Sequence, residues 1–453
     1  MKLTGKRVLV FGSGISGIGA ADLLHRVQAV PVIYDGNENA SREDILDRLE
    51  QTEQTEIVLG QLPDDVLASV ELAVLSPGVP TDIPEVIRIR ENKIPVWGEV
   101  ELAYQMSRGR VLAITGTNGK TTTTALTGKI MEDYFPEVYV VGNIGTPYTS
   151  AALKMTEDAV TVAEISSFQL ETIQDFAPQV SAVLNITEDH LNRHHTMEEY
   201  IRVKELITAN QGKNDVCVLN YEDEILRPFG EELKERMQVV FFSSLRELEQ
   251  GIFLKDGGIV FRRGNDEVMV TKVRDLKLPG RHNHENVMAA AAIALYAGVP
   301  IESIRNTIQN FKAVEHRIEY VTEKNGVVYY NDSKGTNPDA AIKGIQAMER
   351  PTLLIGGGYD KQSEYTEWIQ SFDGKVRYLV LIGQTREKIE REAHACGFTS
   401  TILADSLEEA VKICAEKANP GDAVLLSPAC ASWGQFDNYE QRGDMFKKYV
   451  YEL

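Results

Sequence analysis

Short apolar runs rich in Val, Ile and Leu alternate with longer amphipathic stretches along nearly the whole chain. That alternation predicts parallel α/β domains. "RVLVFG", "VPVIYD", "EIVLG" and "LAVLSPG" read as strands of a first unit, which ends after "PVWGEVELAY". A second begins at "RVLAITGTNGKTT" and continues through "VYVVGNIG", "AVTVAEISS", "VSAVLNITEDH" and "DVCVLN". Residues 239–278 differ: "VVFFSS", "GIFLKDGGIVFRR" and "EVMVTKV" are separated by Gly turns and predict a small antiparallel flap. The helix "NHENVMAAAAIALYAGV" follows. A third unit starts near "AVEHRIEYV" and holds "PTLLIGGG", "VRYLVLIG", "TILAD" and "DAVLLSPAC". The expected domains are 1–105, 106–312 and 313–453.

A chain of 453 residues can carry three such domains, each with its own core. No apolar run approaches the roughly 18 residues that span a bilayer, and no basic-then-apolar leader opens the sequence, so a cytoplasmic protein without a membrane span is expected. The four cysteines (Cys217, Cys396, Cys414 and Cys430) lack C-x-x-C spacing and read as reduced thiols. A formal charge of −20 argues against a nucleic-acid partner. It does not exclude small anions, because charges beyond about 8 Å are screened and a local cluster of cations and backbone N–H groups outweighs them.

The strongest chemical signal is "VLAITGTNGKTTTTAL". A buried strand enters a Gly-rich turn and a helix beginning near Lys120, so the N–H groups of Gly116, Thr117, Asn118, Gly119, Lys120 and Thr121 can face phosphate oxygens. Lys120 would reach the β/γ-phosphates, and the Thr121 hydroxyl a Mg²⁺ ion, with Thr122 beside it. Ile114 stands where the full Walker pattern has Gly, which makes this a variant loop. Glu164 of "AEISSFQLE" closes another strand and can ligate the same ion directly or through a neighbour. "LNITEDHLNRHH" brings His190 to a strand end, as a candidate for a second Mg²⁺, with His194 and His195 expected to face solvent. Lys204, taken from the residues alone, is a surface lysine. Asn283 and Asn286 of "LPGRHNHENVMAA" suit either helix capping or the edge of a base. Arg317 of "EHRIE", with Asp332 and Lys334 of "YYNDSKGTNPDA", can stabilise charge in phosphoryl transfer; the second stretch also fits a plain capped turn. "LLSPACASWGQFDNYEQRG" offers a nest of N–H groups with Ser432 as donor, and "GGGYDKQSEY" adds Lys361.

One motif points elsewhere. Gly12, Gly14 and Gly17 form G-x-G-x-x-G after a strand, and Asp35 closes the next strand, as in NAD enzymes. An oxidoreductase would use residues 7 to 35 and leave "TGTNGKTT", "TEDH" and "NDSK" idle. A phosphate-binding module without catalysis is the other alternative.

Taken in order, "TGTNGKTT", "GNIG", "EISSFQLE", "NITEDHLNRH", "PGRHNHEN", "EHRIE", "NDSKGTNP" and "LSPACASWGQFDNYEQRG" resemble the Mur ligase family over essentially the whole chain. The resemblance implies a Rossmann-like N-terminal domain for a UDP-sugar, a central P-loop-type ATPase domain with a parallel sheet, and a Rossmann-like C-terminal domain for the incoming amino acid. It implies an ATP-dependent amide ligase acting in peptidoglycan precursor synthesis, with UDP-N-acetylmuramoyl-L-alanine, D-glutamate and ATP as substrates, and a monomer. Lys120 and Thr121 then bind ATP phosphates and Mg²⁺, Glu164 helps hold that ion, and His190 and a carbamylated Lys204 serve a second one. Asn283, Asn286, Arg317 and Asp332 match contacts to adenine, phosphate and ribose. Lys334, Lys361, Ser432 and Tyr439 match those holding D-glutamate, Tyr439 standing where Phe is common. Asn143 matches a contact to the UDP-substrate. Ser13, Gly14, Ile15, Asp35 and the loop Ser76, Pro77, Gly78 fall at the UDP site, which moves the glycine fingerprint from NAD to a UDP-sugar.

Overall fold

A computed structural model describes the chain apart from residues 1, 54, 144–145, 279, 312–314 and 361. Its described strands form three sheets. The first contains β1 (Arg7–Phe11), β2 (Val30–Asp35), β3 (Glu56–Leu59), β4 (Leu72–Leu75) and β5 (Val96–Gly98), all parallel, in the order β3-β2-β1-β4-β5. Strand order reverses at β1, so the loops after β1 and β4 face one crevice at the carboxyl ends of the strands. Those loops are the glycine fingerprint and "SPG".

The second sheet contains β6 (Arg110–Thr115), β7 (Val138–Gly142), β8 (Val160–Glu164), β9 (Val180–Val183), β10 (Val216–Asn220), β11 (Gln238–Ser243), β12 (Gly251–Lys255), β13 (Gly258–Arg263) and β14 (Asp266–Lys272). Their order is β14-β13-β12-β11-β10-β9-β6-β8-β7. The flap expected over 239–278 is only partly antiparallel. β11 pairs parallel with β10, and β12 parallel with β11; only β12-β13-β14 run antiparallel. The Gly turns did mark hairpins: Asp256-Gly257, with φ of 48° and 73°, joins β12 to β13. β11 has no such turn before it. It follows a helix, Leu226–Leu233, and so returns parallel to β10 by an ordinary crossover.

The third sheet contains β15 (Glu319–Lys324), β16 (Val327–Asn331), β17 (Thr352–Gly356), β18 (Val376–Leu381), β19 (Thr401–Leu403) and β20 (Ala423–Leu426), in the order β15-β16-β20-β17-β18-β19. It is parallel except for the β15–β16 hairpin. Apolar clusters cover both its faces, one around Leu354, Trp368 and Leu425 and the other around Ile355, Val380 and Phe446.

By compactness the chain divides into two units, 1–274 with 285–308, and 275–284 with 309–453. The first unit contains both the first and second sheets, which share a continuous core from Val8 and Trp97 to Val111 and Ala163. Two buried carboxylates on the helix Glu99–Met106 reinforce that junction. Glu99 accepts from the Thr149 backbone N–H and hydroxyl at 2.8 Å each. Glu101 accepts the backbone N–H groups of Gln174, Asp175 and Phe176. Burial pushes the Glu99 carboxyl above the usual carboxylate range, against the lowering effect of these hydrogen bonds. Among the described residues no helix is long and apolar enough to cross a membrane.

Candidate functional site

In the second sheet β6 lies between β8 and β9, so three strand ends meet there. They carry the Gly-rich loop, Glu164 and "LNITEDH". Asn185 clasps the loop: its side chain accepts from Asn118 N–H at 2.8 Å and donates to the Asn118 carbonyl at 3.1 Å, and its own carbonyl accepts from Thr117 N–H. The Thr117 hydroxyl donates to the Thr187 carbonyl at 3.0 Å. Gly119, at φ 86°, precedes the helix Lys120–Glu132; an added Cβ would lie 2.3 Å from Asn286 Oδ1. Asn286 thus packs beneath the loop, where it also accepts from Thr123 Oγ1 at 3.3 Å. The helix Arg281–Tyr296 is preceded by Gly280, so neither Asn283 nor Asn286 is its N-cap.

The helix beginning at Lys120 buries Thr121, Thr122, Thr123 and Thr124. Lys120 Nζ donates to the carbonyls of Gly116 at 2.8 Å and Thr117 at 2.9 Å. Lys204 donates to the same Gly116 carbonyl at 2.9 Å, from a side chain only 1 % exposed. The expected surface lysine is therefore deep in the core. Tyr200 and Val203, buried with it on the helix Met197–Glu205, show why: at helical spacing the three share one inward face. Burial, with the Lys120 ammonium adding to it, holds the Lys204 amine well below its usual range, though Asp189 opposes this.

Glu164 ends β8 and is buried. Its Oε1 accepts from Asn143 Nδ2 at 2.8 Å, while its Oε2 is buried without a hydrogen-bond partner. An orphaned carboxylate oxygen carries its full desolvation cost, and a cation would relieve it. His190, half-exposed at φ 53°, lies edge-on to Phe168. His195 is exposed as expected, but His194 is not. It is 2 % exposed, with Nε2 3.0 Å from Ser167 Oγ and Nδ1 3.4 Å from Glu171 Oε1. Desolvation lowers its pKa despite Glu171. Neither Glu171 nor Arg193, its ion-pair partner at 2.6 Å, stood out in the sequence.

In the first sheet, Gly17 packs so closely that an added Cβ would sit 1.8 Å from the Gly12 carbonyl. Asp35 Oδ2 accepts from Ser13 N–H at 3.0 Å and Oγ at 2.5 Å, and Oδ1 accepts from Asn37 N–H. Its carboxyl is held low: burial opposes this, and the Ser13 and Asn37 hydrogen bonds outweigh burial. Asp35 thus fixes the loop itself. Ile15 projects 77 % exposed from the start of the helix Ile15–Arg26. Ser76 Oγ is buried and unpartnered against Gly12 and Gly17, whereas Gly78 is exposed.

In the second unit the adjacent ends of β16, β20 and β17 carry "NDSK", "SPACAS" and the Gly-rich loop holding Lys361, which itself lies outside the described residues. Asp332 is buried, accepts from Ser427 Oγ at 2.6 Å, and is pushed up to about 7 by desolvation, with Ser427 and Arg317 opposing. Arg317 Nε is buried without a hydrogen-bond partner. Lys334 Nζ lies 5.5 Å from the Tyr439 ring centroid, and Ser432 is 4 % exposed. Arg442, overlooked in the sequence, binds these loops together: it donates to Ser333 Oγ at 2.9 Å, the Ser333 carbonyl at 2.7 Å and the Cys430 carbonyl at 3.1 Å. Among the described residues, Glu315, His316 and Asp444 form the one group of potential ligands close enough to share a metal, and Lys447 pairs with both carboxylates there.

The family model for the Mur ligase MurD-like N-terminal domain matches residues 6–98, that for the Mur ligase middle domain 114–294, and that for the Mur ligase glutamate ligase domain 316–430. A UDP-N-acetylmuramoylalanine–D-glutamate ligase of Lachnoclostridium phytofermentans is 54 % identical over 453 residues, covering 100 % of this chain and 99 % of the relative. The enzyme of the same name from Clostridioides difficile is 43 % identical over 454 residues, with 100 % of both chains covered. Among solved structures, the UDP-N-acetylmuramate–alanine ligase MurC of Thermotoga maritima aligns at TM-score 0.59 and 18 % identity, covering 99 % of this chain and 100 % of that one. MurF ligase of the same organism, in complex with ADP, aligns at 0.58 and 19 %, covering 99 % and 96 %. Full-length relatives at this identity, with three domain models in succession, leave one conclusion: the chain belongs to the Mur ligase family.

Proposed function

We propose that this chain is an ATP-dependent ligase that joins D-glutamate to UDP-N-acetylmuramoyl-L-alanine during peptidoglycan precursor synthesis. The observation that carries the reading is the convergence of Lys120 and the buried Lys204 on the Gly116 carbonyl, in a loop whose N–H groups start a helix. The names of the full-length relatives support the choice of amino acid. An NAD enzyme would leave this loop without a task.

The substrate carboxylate attacks the γ-phosphorus of ATP, releasing ADP and forming an acyl phosphate. The D-glutamate amine then attacks the acyl carbon, the nitrogen loses a proton, and phosphate departs. Two anions must meet in the first step, so charge stabilisation dominates the barrier. The N–H groups of Thr117 and Asn118 are donated to Asn185, so Lys120 and the N–H groups at the helix start bind the phosphates. Arg317 adds positive charge, with Asn283, Asn286 and Asp332 holding the nucleotide. The orphaned Glu164 oxygen fits a cation: Thr121 and Glu164 would hold one Mg²⁺, His190 and Lys204 a second. When bound, Mg²⁺ supplies further neutralisation of the phosphate charge. Lys204 as an ammonium would repel it, whereas a carbamate presents oxygens, and burial favours the neutral amine, which is the form that reacts with CO₂. Ser13, Gly14, Ile15, Asp35, Ser76, Pro77, Gly78 and Asn143 form the UDP-substrate site. Lys334, Lys361, Ser432 and Tyr439 hold D-glutamate. Fixing the reactants in register contributes up to about 7–11 kcal/mol in ideal cases. The protein works as a cytoplasmic monomer, with domains 1–105, 106–312 and 313–453.

Lys120→Ala tests the reading. ADP release that depends on both UDP-substrate and D-glutamate is expected to fall by about 10²–10³-fold, the loss typical of one preorganised charge-stabilising donor. Release at the wild-type rate contradicts the assignment of the loop.

A further inference from the structure

We propose that Arg193 is a positioning residue that couples the UDP-substrate loop around Ser76–Val79 to the segment carrying His190; this rests on the functional reading of those two segments. Both belong to the same compact unit.

Arg193 is a guanidinium where an aliphatic side chain would have been the simpler filling, since its side chain is 10 % exposed and that of Glu171 is 9 %. Its donors are spent on two different segments. Nε and Nη2 grip the Glu171 carboxylate as a fork, at 3.2 and 2.6 Å. Nη2 also donates to the Val79 carbonyl at 2.8 Å, at the end of the "SPG" loop. Only a planar, branched cation serves both partners at once.

The far side of the guanidinium leads to the phosphate region. It lies 4.9 Å from the Phe168 ring centroid, and Phe168 in turn lies 4.9 Å from the ring of His190 and 5.7 Å from that of His194. The Arg193 backbone N–H donates to the His190 carbonyl at 2.9 Å, and Glu171 also faces His194 Nδ1. Val79 itself is tied back to Ser76 through its N–H at 3.0 Å. A shift of the substrate loop therefore acts on Val79, Arg193, Phe168 and His190 in sequence, through direct contacts at each step. The Arg193 side chain is engaged by Glu171, Val79 and Phe168, so its effect passes through these neighbours.

The test measures kcat and the KM of each substrate, with the thermal midpoint, for wild type, Arg193→Ala and Arg193→Lys. Lys keeps the charge but loses the fork. Both variants are expected to raise KM for UDP-substrate and for ATP about tenfold each, a loss on the scale of one charge-assisted hydrogen bond. KM for D-glutamate should stay within about twofold, and Arg193→Lys should recover much of the thermal midpoint without recovering the two KM values. If Arg193→Ala fails to fold, the Lys variant alone decides. Wild-type kinetic constants in Arg193→Lys overturn the inference, as does a uniform change in all three KM values that follows the midpoint. A wild-type protein that makes no amide product overturns the functional reading instead.

Discussion

A buried ammonium beside a second ammonium is an unfavourable arrangement, and Lys204 is held in one by its own helix. The cost falls once the amine is neutral, and neutral amines combine with CO₂. Removing bicarbonate should slow turnover and returning it should restore activity. Lys204→Ala should lose about 10²–10³-fold in kcat, the scale of a lost charge-stabilising group, and short carboxylates should restore part of it. Full activity of the Ala variant, or indifference to bicarbonate in the wild type, would contradict the carbamate. Asp332 makes a separate prediction through pH. Its folded pKa is raised to about 7 from 3.8, so between those values the native state binds more protons than the unfolded chain. Its contribution to stability is full below about pH 4 and is lost as pH rises through 7. Asp332→Asn should flatten that decline in a series of thermal midpoints, and a slope unchanged from wild type would contradict the burial argument.

At the scale of elements, each sheet places its candidate site residues where adjacent strands end. The turn after β6 depends on Gly119, whose positive φ and contact with Asn286 leave no room for a side chain. Gly119→Ala should cost about 1–3 kcal/mol of stability from backbone strain alone and abolish nucleotide binding by calorimetry; wild-type ATP affinity would contradict the packing. Much of this was readable in advance. The strands after which the loops fall are short apolar runs rich in Val, Ile and Leu, and "GTNGK" opens its helix at Lys120 as its pattern implied. β11 was misread because its neighbours carry hairpin turns, and composition does not say which edge a strand will join. Lys204 could have been found from Tyr200 and Val203 at helical spacing. The Arg193–Glu171 pair could not, since 22 residues separate the partners and no periodicity links them.

For the whole molecule, the described strands form three sheets, and the proposed function assigns one reactant to the strand-end loops of each: a UDP-sugar, ATP and an amino acid. The surrounding charge of −20 does not oppose anionic substrates, because local cations and N–H groups act within the screening distance. The glycine fingerprint folds as a tight strand-to-helix turn, with Asp35 spent on holding Ser13, and the proposed function assigns that turn to the diphosphate of the UDP-substrate. The most direct measurement is ADP release and amide product from the purified protein, given ATP, Mg²⁺ and UDP-N-acetylmuramoyl-L-alanine against a panel of D- and L-amino acids. The predicted result is stoichiometric ADP and amide with D-glutamate, and neither with L-glutamate, L-alanine or diaminopimelate. Turnover with another amino acid in preference to D-glutamate, or none with any, would contradict the account.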